Sequence, residues 1–307
     1  MTAIIWGTLE LGIIYAILSL GLYISFRVLD MPDLTVDGSF VTGAAVSAVM
    51  CLYNHPFLAL PAALAAGAVT GIITSLLNTK LKIQMLLSGI LNMLALYSIN
   101  LKIMGNKPNI ALIGSNTIFT AFEGVLADDY IKSIINMVIL LVVMTVLFLF
   151  LNTKLGFAIR ATGNNECMAA AQGINTDFTK SVGLALANAL IALSGALLAQ
   201  YQLFTDVGMG IGMLVVGLAS IMIGEVLFRF RSIFGMLAAV VLGSVIYRFV
   251  IMAAIHLGMP PVDLKLVSAC IVALALSVPA VKNYIIRAKS RLAATNVKRR
   301  KETDAES

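Results

Sequence analysis

Residues 153–180 read TKLGFAIRATGNNECMAAAQGINTDFTK, a long polar segment between two hydrophobic ones in a chain that is otherwise strongly apolar. Its interior has the marks of a short helix with defined ends. Asn164 or Asn165 is suited to the N-cap, because an amide oxygen can accept from the free N–H groups of a first turn. Gly173 is suited to a left-handed C-terminal stop. Between them Met168, Ala169, Ala170 and Ala171 combine good helix propensity with a low entropic cost. Asn175 or Thr176 then restarts a helix that leads back into apolar sequence. Such a segment is either a solvated connection or a rigid helix placed where another protein can push on it.

The surrounding chain decides its setting. The 307 residues are 60% hydrophobic and 12% charged, with mean hydropathy +0.98. A soluble domain carries roughly 25% charged residues, so this composition belongs in a bilayer. Apolar segments of spanning length fall at about 4–26, 38–53, 56–78, 84–103, 131–151, 181–201, 210–228, 232–256 and 263–281, each near the roughly 20 residues needed to cross. The start of the chain has no basic region before its apolar run, so 4–26 is expected to be a span and not a removable signal. The formal charge of +6 does not suggest nucleic acid, because the basic residues segregate by membrane side. Arg27, Lys80, Lys82, Lys154, Arg160, Lys180, Arg229 and Arg231 fall on one side together with the basic tail. Lys102, Lys107, Lys132, Arg248 and Lys265 are all that remain. The positive-inside rule then places the C-terminus in the cytoplasm, and nine spans place the N-terminus outside.

Two interruptions stand out. RVLDMPDLTVDGS at 27–39 sets three acids, a proline and a glycine into apolar sequence, and QYQLFTDVGMGIG at 200–212 does the same with Asp206 and three glycines. Non-helical backbone at membrane depth is tolerated only where it lines a cavity or is buried in protein. In each half the order is apolar helix, acid-and-glycine break, small-residue helix, then two further helices. One span between the halves inverts the second, a common arrangement around a central pathway. The expected fold is an all-α integral membrane protein of about nine helices with interrupted spans. Two inverted four-helix repeats (1–103 and 181–281) are joined by a linking helix (131–151). An outer loop (104–130), the cytoplasmic segment 153–180 and a basic cytoplasmic tail (282–307) complete it. Gly67 with Gly71, Gly208 with Gly212, and Ala44, Ser47 and Ala48 offer small faces for close helix approach.

Several chemistries are missing. No Gly-Lys dipeptide occurs, so there is no phosphate-cradling loop, and LSGI (87–90) and LSGAL (193–197) lie within apolar spans. Cys51, Cys167 and Cys270 suggest neither a disulfide framework nor a metal site, and His55 and His256 are isolated. No catalytic motif is present, so the chain is not expected to be an enzyme or to bind a cofactor itself. Among charges within spans, Glu10 is expected to face water near a span end. Glu225 is expected to pair with Arg229 one turn on. Arg248 either snorkels or meets an anionic group.

Arg160-Ala161-Thr162-Gly163-Asn164, followed by Ala171-Gln172-Gly173-Ile174-Asn175-Thr176, resembles the cytoplasmic coupling loop of ABC importer permeases of the branched-chain-amino-acid and ribose class. The similarity continues through SVGLALANALIALSGALLAQYQ (181–202) and DVGMGIGMLVVGLASIMIGEVL (206–227) and covers nearly the whole chain. The resemblance is strongest to the subgroup served by lipoprotein-type binding proteins, some taking up aromatic amino acids. It implies a homodimeric permease in the cell membrane, with ATP and Mg on a partner ATP-binding subunit and a solute-binding protein outside. By resemblance, Arg160, Gly163, Asn164, Asn165, Met168, Ala170, Gly173, Ile174 and Asn175 contact that partner. By the same resemblance, Asp33, Thr35, Asp37 and Ser39 are expected to open a discontinuous second helix and to line the pathway with Asn188, Gln200 and Asp206. The outer loop from Gly105 to Asp129 is a candidate surface for the binding protein. The solute is expected to be small and polar, an amino acid. The rival reading is an ion-coupled secondary transporter, which shares inverted repeats but calls for ionisable groups at mid-membrane. A third, a membrane scaffold, gives no reason for interrupted helices.

Overall fold

The computed structural model describes residues 2–122, 131–228, 230, 232–259, 266, 268–270 and 273. Helix α1 (Thr2–Tyr23) runs into a π-helical turn at Ile24–Val28, followed by α2 (Val36–Leu52), α3 (Pro56–Thr79), α4 (Met85–Ile103) and α5 (Ile131–Leu151). Two short helices follow, α6 (Lys154–Asn164) and α7 (Glu166–Ala171), before α8 (Thr176–Gln202), α9 (Met213–Leu227) and α10 (Ile233–His256). Among the described residues, seven helical stretches are long and apolar enough to cross a membrane: Ile4–Val28, α3, α4, α5, α8, Val207–Leu227 and α10. Helix α2, at 17 residues, is shorter than a full crossing requires. The expected ninth span (263–281) lies almost wholly outside the described residues, as do the tail and residues 123–130 of the outer loop.

Helices α1 and α8 form the centre, each with 83% of its apolar window buried, against 28% for α4 and α5. Between apolar helices in lipid there is little hydrophobic drive, so close packing and hydrogen bonds hold the bundle. Small residues permit this. A β-carbon at Gly43 of α2 would lie 1.9 Å from the Ala192 carbonyl oxygen of α8, and one at Gly195 of α8 would lie 2.0 Å from the Phe40 carbonyl oxygen of α2. Gly67 and Gly71 lay α3 against the Asn188 and Leu184 carbonyls in the same way, as their spacing predicts. Ala44, Ser47 and Ala48 are fully buried. Helix α1 is tied by hydroxyls, with Ser194 Oγ donating to the Ile14 carbonyl at 2.7 Å and Ser244 Oγ to the Gly12 carbonyl at 3.0 Å.

Three expectations are corrected. Gly208 and Gly212 form no helix face. They belong to the turn before α9, where Gly212 has φ +92°, and it is Gly210 that approaches closely: a β-carbon there would lie 2.1 Å from the Asp37 carbonyl oxygen. Glu10 does not face water: it is 6% exposed, accepting from Ser133 Oγ at 2.5 Å and Tyr201 OH at 2.8 Å. Glu225 pairs with Arg27 at the end of the π-turn, whose Nε donates at 2.7 Å, a contact 198 residues apart that local spacing cannot reveal; Arg229 lies outside the described residues. The fold is mostly helical, as expected of an all-α membrane protein, with one short strand pair beside the helices. Strands β1 (Asn109–Ala111) and β2 (Phe204–Asp206) pair antiparallel with Ile110 opposite Thr205, stitching the outer loop to the second break.

Candidate functional site

The first break is buried in the bundle. After the π-turn the chain runs irregularly from Leu29 to Thr35, with Leu29, Met31, Asp33 and Thr35 all buried. Asp33 organises the re-entry: its Oδ1 accepts from the Thr35 backbone N–H at 2.8 Å, a local turn that closes the irregular stretch where α2 begins. Its Oδ2 accepts from Asn188 Nδ2 of α8 at 2.8 Å. Asn188 also receives a hydrogen bond at Oδ1 from Ser39 Oγ, at 2.7 Å, so one amide joins the break to α2.

The network extends into residues that sequence reading missed. Thr35 and Ser39 share hydrogen bonds with Thr74 and Thr70 of α3, each at 2.8 Å. Asn92 of α4 donates to Thr74 Oγ1 at 2.7 Å and to the Thr70 carbonyl at 2.9 Å. Asp33, Thr35, Ser39, Thr70, Thr74, Asn92 and Asn188 are each 3% exposed or less. The available signal was the face of α3: Gly67, Thr70, Gly71 and Thr74 fall at i, i+3, i+4 and i+7 and form one stripe. Chemically the cluster offers a carboxylate, two amides and four hydroxyls, all turned on one another.

The other expected pathway residues lie elsewhere. Asp37 points across the molecule to the start of α9, accepting from the Gly212 N–H at 3.0 Å and the Leu214 N–H at 2.9 Å. A carboxylate there satisfies free donors and faces the positive end of the helix. Gln200 holds the outer loop, accepting from the Ile118 N–H at 2.9 Å and donating to Ser47 Oγ at 3.0 Å. Asp206 caps its own turn through the Gly208 N–H at 2.7 Å. Thus Asp33, Thr35, Ser39 and Asn188 come together, while Asp37, Gln200 and Asp206 do not join them.

On the face that carries Arg27, the segment 153–180 forms two helices instead of one. Thr153 caps α6. Of the two candidate caps, Asn165 begins α7, its side chain accepting from the Met168 N–H at 3.0 Å, whereas Asn164 ends α6. Gly173 has φ +82°, and Asn175 caps α8 by accepting from the Phe178 N–H at 3.1 Å. Asn164, Asn165, Met168, Ala170 and Gly173 are exposed and Ile174 is half-buried, while Ala169 is buried beneath α7. Lys180 holds Glu166 at 2.5 Å. Arg160 lies with its guanidinium 4.3 Å from the Phe157 ring centre. Helix α6 is pressed on the first break: a β-carbon at Gly163 would lie 2.0 Å from the Val28 carbonyl oxygen.

Residues 4–276 match the model of the family described as branched-chain amino acid transport system / permease component. The chain is 40% identical over 262 residues to the tyrosine transport system permease protein of Clostridioides difficile (strain R20291), covering 85% of this chain and 86% of that protein. It is 34% identical to an uncharacterized protein of Rickettsia prowazekii (strain Madrid E), over 88% and 95% of the two chains. It is 26% identical to the ribose import permease protein of Escherichia coli (strain K12), over 53% and 51%. No solved structure matches. These matches account for the apolar helices and for the lack of catalytic motifs in one stroke, since permeases are transport proteins and not enzymes: the chain is a multi-pass membrane protein and belongs to the branched-chain amino acid transport system permease family.

Proposed function

We propose that the chain is the membrane-spanning subunit of an ATP-binding-cassette importer, working as a homodimer and carrying an amino acid. A cytoplasmic subunit binds ATP and Mg and hydrolyses the nucleotide, and a solute-binding protein delivers the ligand from outside. The observation that carries this reading is the seating of α6 and α7. Helix α7 presents Met168, Ala170 and the cap Asn165 outward, while α6 rests through Gly163 on the Val28 carbonyl, immediately before the break that holds Asp33. Thr162 and Thr179 share a hydrogen bond at 2.8 Å, so α6 and the start of α8 move together. A push on α7 therefore reaches both walls of the buried polar cluster, the break and α8. In this reading Arg160, Gly173, Ile174 and Asn175 complete the partner surface.

The polar cluster is then the closed pathway. Opening it exposes Asp33 and the amides of Asn92 and Asn188, groups able to exchange their mutual hydrogen bonds for the ammonium and carboxylate of an amino acid. Asp37 and the start of α9 form a latch between the halves, and Gln200 and Asp206 support the outer side. The name of the tyrosine permease supports an amino acid as solute. Helix packing supports the inverted repeats: α8 packs on α2 and α3, and α1 packs on α9 and α10, so the first helix of each half lies against the second and third of the other. The N-terminus is outside and the C-terminus cytoplasmic.

Gentle purification of the chain from its own membranes tests the proposal. The expected result is a soluble ATP-binding subunit in stoichiometric amount, with ATP-dependent uptake restored on reconstitution of the pair. Buried acids at Glu10 and Asp33 are the residue type that ion coupling uses. Uptake by the chain alone, driven by a proton or sodium gradient, would therefore replace this reading with the secondary transporter.

A further inference from the structure

Where α1 begins and α10 ends, on the membrane side opposite α7, the structure contains a pocket of about 230 Å³. Its walls are apolar, made chiefly by Leu11, Ile251, Met252 and Ile255. Arg248 reaches into it, Thr8 lies on the wall, and His256 is exposed at the helix end. Arg248 stands eight residues before His256, about 12 Å along the axis at 1.5 Å per residue. A cation at that depth is costly unless an anion reaches it or its side chain extends to water.

No carboxylate among the described residues forms an ion pair with Arg248. The three ion pairs among these residues join Arg27 to Glu225, Lys80 to Asp177 and Lys180 to Glu166. Glu10 is committed to Ser133 and Tyr201, and the Thr8 hydroxyl to the Ile4 carbonyl. The Tyr15 ring covers the guanidinium at 4.1 Å, which pins the group in place. Its Nε is buried without a hydrogen-bond partner among the described residues. The pocket is several times the roughly 30 Å³ share of one water molecule, so it exceeds a single bridging water. Trp6 is 42% exposed on the same end of α1, a residue type that marks the headgroup level of a bilayer.

We propose that this pocket binds an anionic phospholipid, its phosphate held by Arg248 and its acyl chains lying along Leu11, Ile251, Met252 and Ile255. The apolar wall selects a lipid over a free anion. The bound lipid bridges α1 to α10 and neutralises the one guanidinium that the described protein leaves unpaired at this end.

The test uses the full-length chain, purified in mild detergent and stripped of lipid. Phosphatidylglycerol and phosphatidylcholine of identical acyl chains are titrated, with glycerol phosphate and a free amino acid as soluble probes. Phosphatidylglycerol should raise the melting midpoint by about 3 °C or more beyond phosphatidylcholine, as a ligand selective for the folded state does. Arg248→Met should abolish that preference and Arg248→Lys should keep it. A tail variant, Lys298→Gln with Arg299→Gln, Arg300→Gln and Lys301→Gln, should also keep it. Native mass spectra of the wild type, which need no variant to fold, should show phosphatidylglycerol retained over phosphatidylcholine. A preference that survives Arg248→Met, or is lost in the tail variant, or is absent in the wild type, overturns the proposal. Stabilisation by either soluble probe through Arg248 would assign the pocket to a soluble anion or to the transported solute, and would overturn it equally.

Discussion

Asn188 shows how one amide can join three elements. Its nitrogen donates to Asp33 and to the Leu184 carbonyl at 3.0 Å, and its oxygen accepts from Ser39, so α8, the break and α2 share one side chain. Leucine has nearly the same size and none of these groups. Asn188→Leu should therefore leave Asp33 and Ser39 short of partners, at a cost of about 1–3 kcal/mol for each buried group left unpaired. The melting midpoint of the detergent-purified chain would fall by several degrees, and uptake would be lost. In a double-mutant cycle with Asp33→Asn, the combined loss should be smaller than the sum of the single losses, because the two residues share a contact. Additive effects would show that Asp33 and Asn188 do not depend on each other.

At the scale of elements, glycines separate packing from conformation. Gly163 has no room: a methyl group there meets backbone of the π-turn segment at 2.0 Å. Gly173 has open space around it, but its φ of +82° disfavours any side chain. Gly163→Ala should unseat α6 and abolish uptake, whereas Gly173→Ala should cost only about 1–2 kcal/mol of left-handed strain and leave partial uptake. If the two variants transport equally well, contact between α6 and the break is not what carries motion. The Arg27–Glu225 pair belongs to this scale too, tying the end of α1 to α9. Both side chains are substantially exposed, at 42% and 33%, so Glu225→Gln should change stability by less than about 1 kcal/mol. If the pair instead sets the angle between α1 and α9, the reversed pair, Arg27→Glu with Glu225→Arg, should restore whatever uptake either single reversal removes.

For the whole molecule, the exposed Cys167 of α7 reports which way the bundle sits. Because Cys51 is buried, a membrane-impermeant thiol reagent applied to a Cys270→Ser variant should label Cys167 alone, and only from the cytoplasmic side. Labelling from outside would invert the topology. Ala170 is exposed beside it, so Ala170→Trp should insert and melt as the wild type does while losing both uptake and the ATP-binding subunit. Normal uptake in that variant would remove α7 from the coupling role.

The sequence alone determined the membrane setting, the helix order and the presence of a capped helix ending at Gly173, though not the separate helix α6 before it, because each rests on local composition or on residues within a turn or two of one another. Sixty per cent apolar residues can be stable only in lipid or in a large core, and Asn165, Gly173 and Asn175 mark helix ends by their own chemistry. The tertiary structure decided which breaks face which helices. Asp33 and Asp37 sit four residues apart in one acidic stretch, yet one meets α8 and the other the start of α9. Glu10 and Arg27 likewise find Tyr201 and Glu225 far along the chain. No local pattern encodes those partners. They follow from helices brought close by glycine and alanine, where a buried polar group must take whichever partner the packing presents.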